Sequence, residues 1–251
     1  MSTSAAFTAK YVSTNLPAGA PTFAASLIPN FTALPLPPLL STSVLTAALC
    51  ALKRGDLVPP LFSHLVDVLH YDPQEVFTAM RTAITSTLVF SGAPQVVPAC
   101  LGLAGEMKTR GLSPSTFSDR GEILPTTLPL GRETHADIYK ASANPEVFQM
   151  LGEYFGDVEY GLIAVAFGLY MGGEGLKEKE LMLASAILAM GAKRQAGSHL
   201  KACFGFGWSG EEVGAAVGLV ERTAEWCKSS VPKMDMKALE SEAAEAMAKR
   251  E

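Results

Sequence analysis

The chain has 251 residues, 48% of them hydrophobic and 18% charged. That length can bury a large core, and that balance excludes an intrinsically disordered chain. With 20 basic residues against 25 acidic ones the net charge is −5, so no overall positive field draws nucleic acid phosphates or an anionic membrane.

Residues 1–40 are rich in Pro, Ala and Thr and close on Leu34-Pro35-Leu36-Pro37-Pro38. Prolines at that density cannot continue a helix, so the segment reads as an extended arm ending where Ser41 can cap a helix. From 41 to 110 the apolar spacing is helical. It predicts helices over 42–53, 60–70 and 73–90, and a fourth after Pro94. Residues 111–130 hold prolines and glycines at linker density. Helical spacing then resumes over 131–230, with helices expected over 133–141, 145–153, 158–172, 177–190, 194–205 and 209–228. An Ala- and Glu-rich C-terminal helix is expected within 231–251. No run of alternating β-branched residues occurs, so the fold class is all-α.

The longest apolar run, Gly161–Met171, is shorter than the roughly 20 residues of a membrane span. The first 30 residues contain Lys10 as their only basic residue and no continuous apolar core. They therefore resemble neither a secretory signal nor an arginine-rich mitochondrial presequence, and a cytoplasmic location is expected over organelle import. Cys50, Cys100, Cys203 and Cys227 are scattered without C-x-x-C spacing, which fits reduced thiols in an intracellular protein. No histidine pair has metal-ligand spacing, so no metal is expected.

Two segments match each other. Ser63-His64-Leu65 precedes Asp72-Pro73-Gln74-Glu75-Val76, and Ser198-His199-Leu200 precedes Ser209-Gly210-Glu211-Glu212-Val213. Each is a helix with Ser-His-Leu, a turn, and a capped helix opening on an acid. This suggests two pseudo-symmetric halves, although two unrelated helical hairpins can match by chance.

Residues 131–230 resemble the carboxymuconolactone decarboxylase and alkylhydroperoxidase D-like family. The resemblance rests on motifs in order: Gly131-Arg132-Glu133, Ile138-Tyr139-Lys140, Asn144-Pro145-Glu146, Glu153-Tyr154-Phe155-Gly156-Asp157-Val158, Leu176-Lys177-Glu178-Lys179-Glu180-Leu181, Ser198-His199-Leu200-Lys201-Ala202 and the turn beginning Gly207-Trp208-Ser209. Residues 41–110 resemble a degenerate second copy. The resemblance implies an alkylhydroperoxidase D-like helical fold of two repeats and a homo-oligomer, a trimer being favoured. The family's peroxidase branch carries a C-x-x-C before the histidine, where this chain has Ala192 and Gln195. A thiol peroxidase needs a reactive thiolate and a resolving partner, so the resemblance implies the decarboxylase branch.

In that branch the glutamate and histidine are the acid–base candidates, here Glu180 and His199. Applied to His64, their spacing falls on Leu45, so any site belongs to the second half. Histidine can give or take a proton near neutral pH, and a carboxylate can fix its tautomer. Arg194, and secondarily Lys193, suit a substrate carboxylate. On helix rise alone, strictly antiparallel helices would leave Glu180 and His199 about 7 Å apart along the axis. Contact therefore requires crossing helices or a bridging water.

The expected function is a cofactor-free acid–base enzyme acting on a small organic acid or carbonyl metabolite by decarboxylation or isomerisation. The alternative is a non-catalytic oligomeric scaffold that keeps the fold. Plainer roles stand beside the catalytic ones. Glu180 can be a first-turn acid favoured by the helix dipole, and Arg194 a solvated turn residue. His64 reads as structural, and His70 and His135 as surface residues. Residues 160–173, Phe204, Phe206 and Trp208 either fill the core or line a pocket. Cys203 is a third, thiol-dependent option.

Overall fold

The computed structural model describes residues 8–13, 16, 19–24, 34–112, 123–142 and 145–250. Among them every regular element is helical and no strand occurs. Residues 113–122, the middle of the expected linker, and half of the N-terminal arm lie outside the described residues.

The first long helix, α1, spans Pro38–Ala51. It begins before the expected Ser41 cap because Pro38 takes the first helical position, where its missing N–H costs nothing. Ser41 is already inside, its N–H bonded to the Pro37 carbonyl. A 3₁₀ turn at Gly55–Leu57 leads into α2 (Val58–Asp67), α3 (Pro73–Ser91) and α4 (Ala93–Thr109). The arm is not wholly extended, since Thr8–Val12 forms a π turn lying on α4.

The second half opens with α5 (Thr127–Tyr139), which starts inside the segment expected to be linker. Pro129 reads as a breaker in sequence, but it sits in the helix's first turn, where no intrahelical donor is lost. Next come α6 (Pro145–Tyr154) and α7 (Gly156–Gly161). The apolar run then winds as a π-helix over Leu162–Met171, so the single helix expected over 158–172 divides in two. The remaining helices are α8 (Leu176–Ala189), α9 (Lys193–Gly205), α10 (Gly210–Trp226) and α11 (Met236–Ala248).

The core forms around α1 and α8, which pack on each other. Every residue from Leu40 to Ala51 and from Lys179 to Ala189 is buried. Most polar residues on α1 bury cheaply because they satisfy themselves. Thr42, Ser43 and Thr46 donate their hydroxyls to the carbonyls of Pro38, Leu39 and Thr42. Around the pair, α3 and α10 each touch both central helices, and α9 lies along α8 under α11.

The π-helix packs on α5 at backbone contact. A Cβ on Gly131 would strike the Ile163 carbonyl, and one on Gly168 would strike that of Thr127. Lys179, 5% exposed, donates to the carbonyls of Met171 and Gly172, satisfying the end of the π-helix. These contacts hold the π-helix between α5 and α8, and α5, with Tyr139 at its end, also packs on α9.

Candidate active site

Glu180 lies in the second turn of α8 and is fully buried. His199 lies midway along α9 and is 2% exposed. The short turn at Met190–Ala192, with Gly191 at φ 80°, brings α9 back across α8. The Nδ1 of His199 then sits 2.7 Å from Oε1 of Glu180. The contact is direct, so the helices cross and no bridging water is required.

Burial raises the Glu180 carboxyl above its usual range, while the charge and hydrogen bond of His199 oppose that rise. Its second oxygen, Oε2, is buried with no hydrogen-bond partner among the described residues. Glu180 therefore depends on His199 alone for a polar contact. When the carboxylate is ionised it accepts the Nδ1–H, leaving the lone pair on Nε2.

That nitrogen meets the Tyr139 hydroxyl at 3.3 Å. Tyr139 ends α5, whose exit is tied to α9 by a 2.8 Å bond from the Ser142 hydroxyl to the Ser198 carbonyl. Burial and the nearby Glu180 raise the phenol's pKa, so it stays protonated and donates to Nε2. The order Glu180–His199–Tyr139 runs from a fully buried carboxyl to the edge of a cavity.

The cavity measures about 310 Å³. Its walls carry the rings of Phe90, Phe148 and Phe167, and Leu151, Leu162 and Ile187 add aliphatic surface. Its polar lining consists of Tyr139, Arg194, Gln195, Ser198 and His199. Arg194 is exposed at the rim, and its guanidinium makes no ion pair or hydrogen bond with a described residue. Lys193 is exposed and does not line the cavity. One residue back along a helix is a rotation of about 100°, which turns it off the cavity face.

His135 is not a surface residue. It is half-buried, with its ring 4.0 Å from that of Phe148, 4.7 Å from Tyr139 and 5.4 Å from Phe167. Desolvation, and secondarily the charge of His199, lower its pKa to about 4. It is therefore neutral at physiological pH, with a buried Nε2 that has no partner among the described residues. In sequence His135 and Tyr139 are four apart and share a helix face, but nothing local connects that face to His199.

Ala192 and Gln195 both line the cavity, so the positions expected to carry cysteines in a peroxidase present no thiol to it. Cys203 is fully buried, and desolvation raises its pKa well above the usual thiol range. That makes it inert in this conformation. Of the segment 160–173, Leu162 and Phe167 reach the cavity while Ala166 and Met171 fill core. Trp208 is buried and donates to the Lys177 carbonyl, and Phe206 lies under Lys140. Neither these two nor Phe204 lines the cavity.

Among the described residues no three His, Cys, Asp or Glu side chains converge as a metal site, and no helix is long and apolar enough to cross a membrane. In comparisons with known proteins, the chain matches no family model and no curated protein.

Proposed function

We propose that the chain is a two-repeat helical protein of the carboxymuconolactone decarboxylase type, acting as a cofactor-free acid–base enzyme on a small organic acid or carbonyl compound. The observation that carries this reading is the buried Glu180–His199 pair, whose second ring nitrogen faces a cavity. A scaffold has no use for a fully buried carboxylate satisfied by a single histidine, an arrangement that costs stability.

In this reading Nε2 of His199 takes a proton from carbon next to a carbonyl or carboxylate. Glu180 stabilises the imidazolium that forms, as a carboxylate does for a catalytic histidine. When substrate enters, the Tyr139 phenol turns its O–H from Nε2 to the substrate oxygen where negative charge collects, which frees the Nε2 lone pair as it donates to that oxygen. Return of the proton to a different carbon gives isomerisation; in decarboxylation no C–H bond breaks first, and loss of CO₂ leaves the same delocalised carbanion, which takes one proton from the protonated His199. Two related halves are supported by the central helices α1 and α8, each 14 residues long and buried on all sides. They are also supported by the side-chain caps Asp72 and Ser209 that open α3 and α10.

The test is ¹H NMR in D₂O of a panel of small keto acids and unsaturated acids, following loss of the acidic C–H signal or of CO₂. Exchange or decarboxylation by the wild type that disappears in His199→Gln supports the reading. Ligands that bind without either reaction favour the scaffold.

Self-association belongs to the same proposal. Met150, Tyr154, Phe155, Val158 and Tyr160 on α6 and α7 are at least half exposed, an apolar face that a second copy would cover. Sedimentation equilibrium at micromolar concentration should give a multiple of the chain mass, a trimer being favoured. A clean monomer contradicts it.

A further inference from the structure

The cavity has two chemically different ends. At the inner end Phe167, His199 and Ile187 are 1%, 2% and 3% exposed. At the outer end Met190, Arg194 and Gln195 are exposed. Arg194 is the only permanent cation among the described lining residues, and its guanidinium makes no ion pair or hydrogen bond with any described residue. Two other arginines are engaged: Arg54 is forked onto Asp56, and Arg110 onto Asp67. Between the two ends the walls are hydrocarbon and aromatic ring. A second carboxylate carried inward would lose its water against Phe90, Phe148 and Phe167 and meet no fixed cation.

We propose that this cavity selects organic acids with one carboxylate and an apolar, ring-sized body, the carboxylate held by Arg194 at the rim and the body placed between the phenylalanines. The proposal rests on the acid–base reading above and names its substrate class. The guanidinium fork accepts a carboxylate in bidentate geometry. Five residues separate Arg194 from His199 on α9, about 7.5 Å of helix rise. An acid anchored at the rim therefore runs inward toward Nε2 and the Tyr139 hydroxyl, with its carboxylate and its reacting carbon at different depths. Gln195, one turn before His199 on the same face, is placed to meet a carbonyl lying between the two ends. Phe148 and Phe167 offer ring faces and edges for tilted aromatic contact.

Titration calorimetry of the full chain with 3-phenylpropanoate, its amide and hexanedioate tests the selection without requiring turnover. 3-Phenylpropanoate should bind about tenfold or more tightly than the amide or the diacid, the scale of one charge-assisted contact. Arg194→Met should bring the acid down to the affinity of the amide and leave the amide unchanged. Phe148→Ala should weaken both. Hexanedioate binding as tightly as 3-phenylpropanoate, an acid affinity indifferent to Arg194→Met, or no binding of 3-phenylpropanoate at millimolar concentration each overturns the proposal. The two readings fail separately. Arg194-dependent binding without any His199-dependent proton exchange leaves the site standing and removes the enzyme. Proton exchange on diacids alone does the reverse.

Discussion

The α8–α9 pair and the α1–α2 pair carry the same Ser-His-Leu signature, yet they bury polarity differently. Each central helix, α1 and α8, is enclosed on all sides. On α1 the threonines return their hydroxyls to their own helix, and Leu45 asks for nothing. On α8 Glu180 has no such internal solution, because a carboxylate cannot donate to the carbonyl one turn back. It requires a donor from a neighbour, and α9 crosses where His199 supplies one. α2 has no such obligation. It packs mainly on α4 and α3, and its His64 is half-buried beside the Phe23 ring at 6.1 Å and makes no ion pair with a described acid. The buried carboxylate thus goes with a neighbouring helix that crosses close enough to supply its donor, and the self-satisfied helix with one that packs elsewhere.

The widest gap between the regions is expected in chemistry. His199→Gln removes the titrating base and should lower turnover about 10²-fold or more. Glu180→Gln should do similar damage, and the double variant little more, because groups acting as a unit are not additive. His64→Gln should leave turnover unchanged. Equal losses at His64 and His199, measured on the same substrate, would erase the distinction between the halves.

The regions can also be made alike. Glu180→Leu gives α8 a residue of the kind α1 has at Leu45, but leaves His199 buried beside it without its acceptor. Chemical denaturation should show a loss of about 1–3 kcal/mol, the cost of an orphaned buried polar group. Adding His199→Leu removes the orphan and should recover that loss or exceed it, since apolar replacement of a buried pair is often neutral or stabilising. A double variant less stable than Glu180→Leu alone would mean that the pair holds the helix crossing rather than burdening it.

Legibility followed the range of the interaction. Helical class and most helix positions are readable, because apolar spacing and caps act within a few residues, whereas Glu180 and His199 are singled out by the family resemblance of 131–230 and not by local spacing. The starts of α1 and α5 are misread because proline breaks a helix interior but suits a first turn, and the letter is the same in both places. The division of 158–172 into α7 and a π-helix depends on Gly131 and Gly168 meeting a distant backbone. The Tyr139–His199 contact spans 60 residues. His135 becomes an inner residue only because Phe148 and Phe167 close on it, and no local pattern around it announces that.

Two further measurements sharpen the contrast at smaller scale. Gly131→Ala drives a Cβ into the Ile163 carbonyl, a backbone group that cannot swing aside. It should cost about 1–3 kcal/mol in thermal or chemical unfolding. Gly105→Ala on α4 meets open space and should stabilise slightly through helix propensity. Equal effects at the two glycines would show that the α5 crossing is not held at backbone contact.

The smallest effect separates the histidines by pH. His135, in the second-half aromatic cluster, has its pKa lowered from 6.5 to about 4, first by desolvation and then by the charge of His199. In the unfolded chain it takes up a proton as pH falls through about 6.5, whereas in the folded chain it resists until about 4. Between those values the unfolded state binds more protons, so stability rises with pH and is lost as pH drops. The contribution is fully present above pH 6.5 and is lost progressively down to about 4. Because His135 keeps some contact with water, its share is expected to be on the order of 1 kcal/mol. Denaturation midpoints measured from pH 7.5 to 4 should therefore slope less steeply in His135→Phe, whose ring fills the same cluster beside Phe148 and Phe167 without titrating. An unchanged slope in His135→Phe would mean that the imidazole is solvated well enough to protonate in place, and that the aromatic cluster opens more readily than its ring spacings indicate.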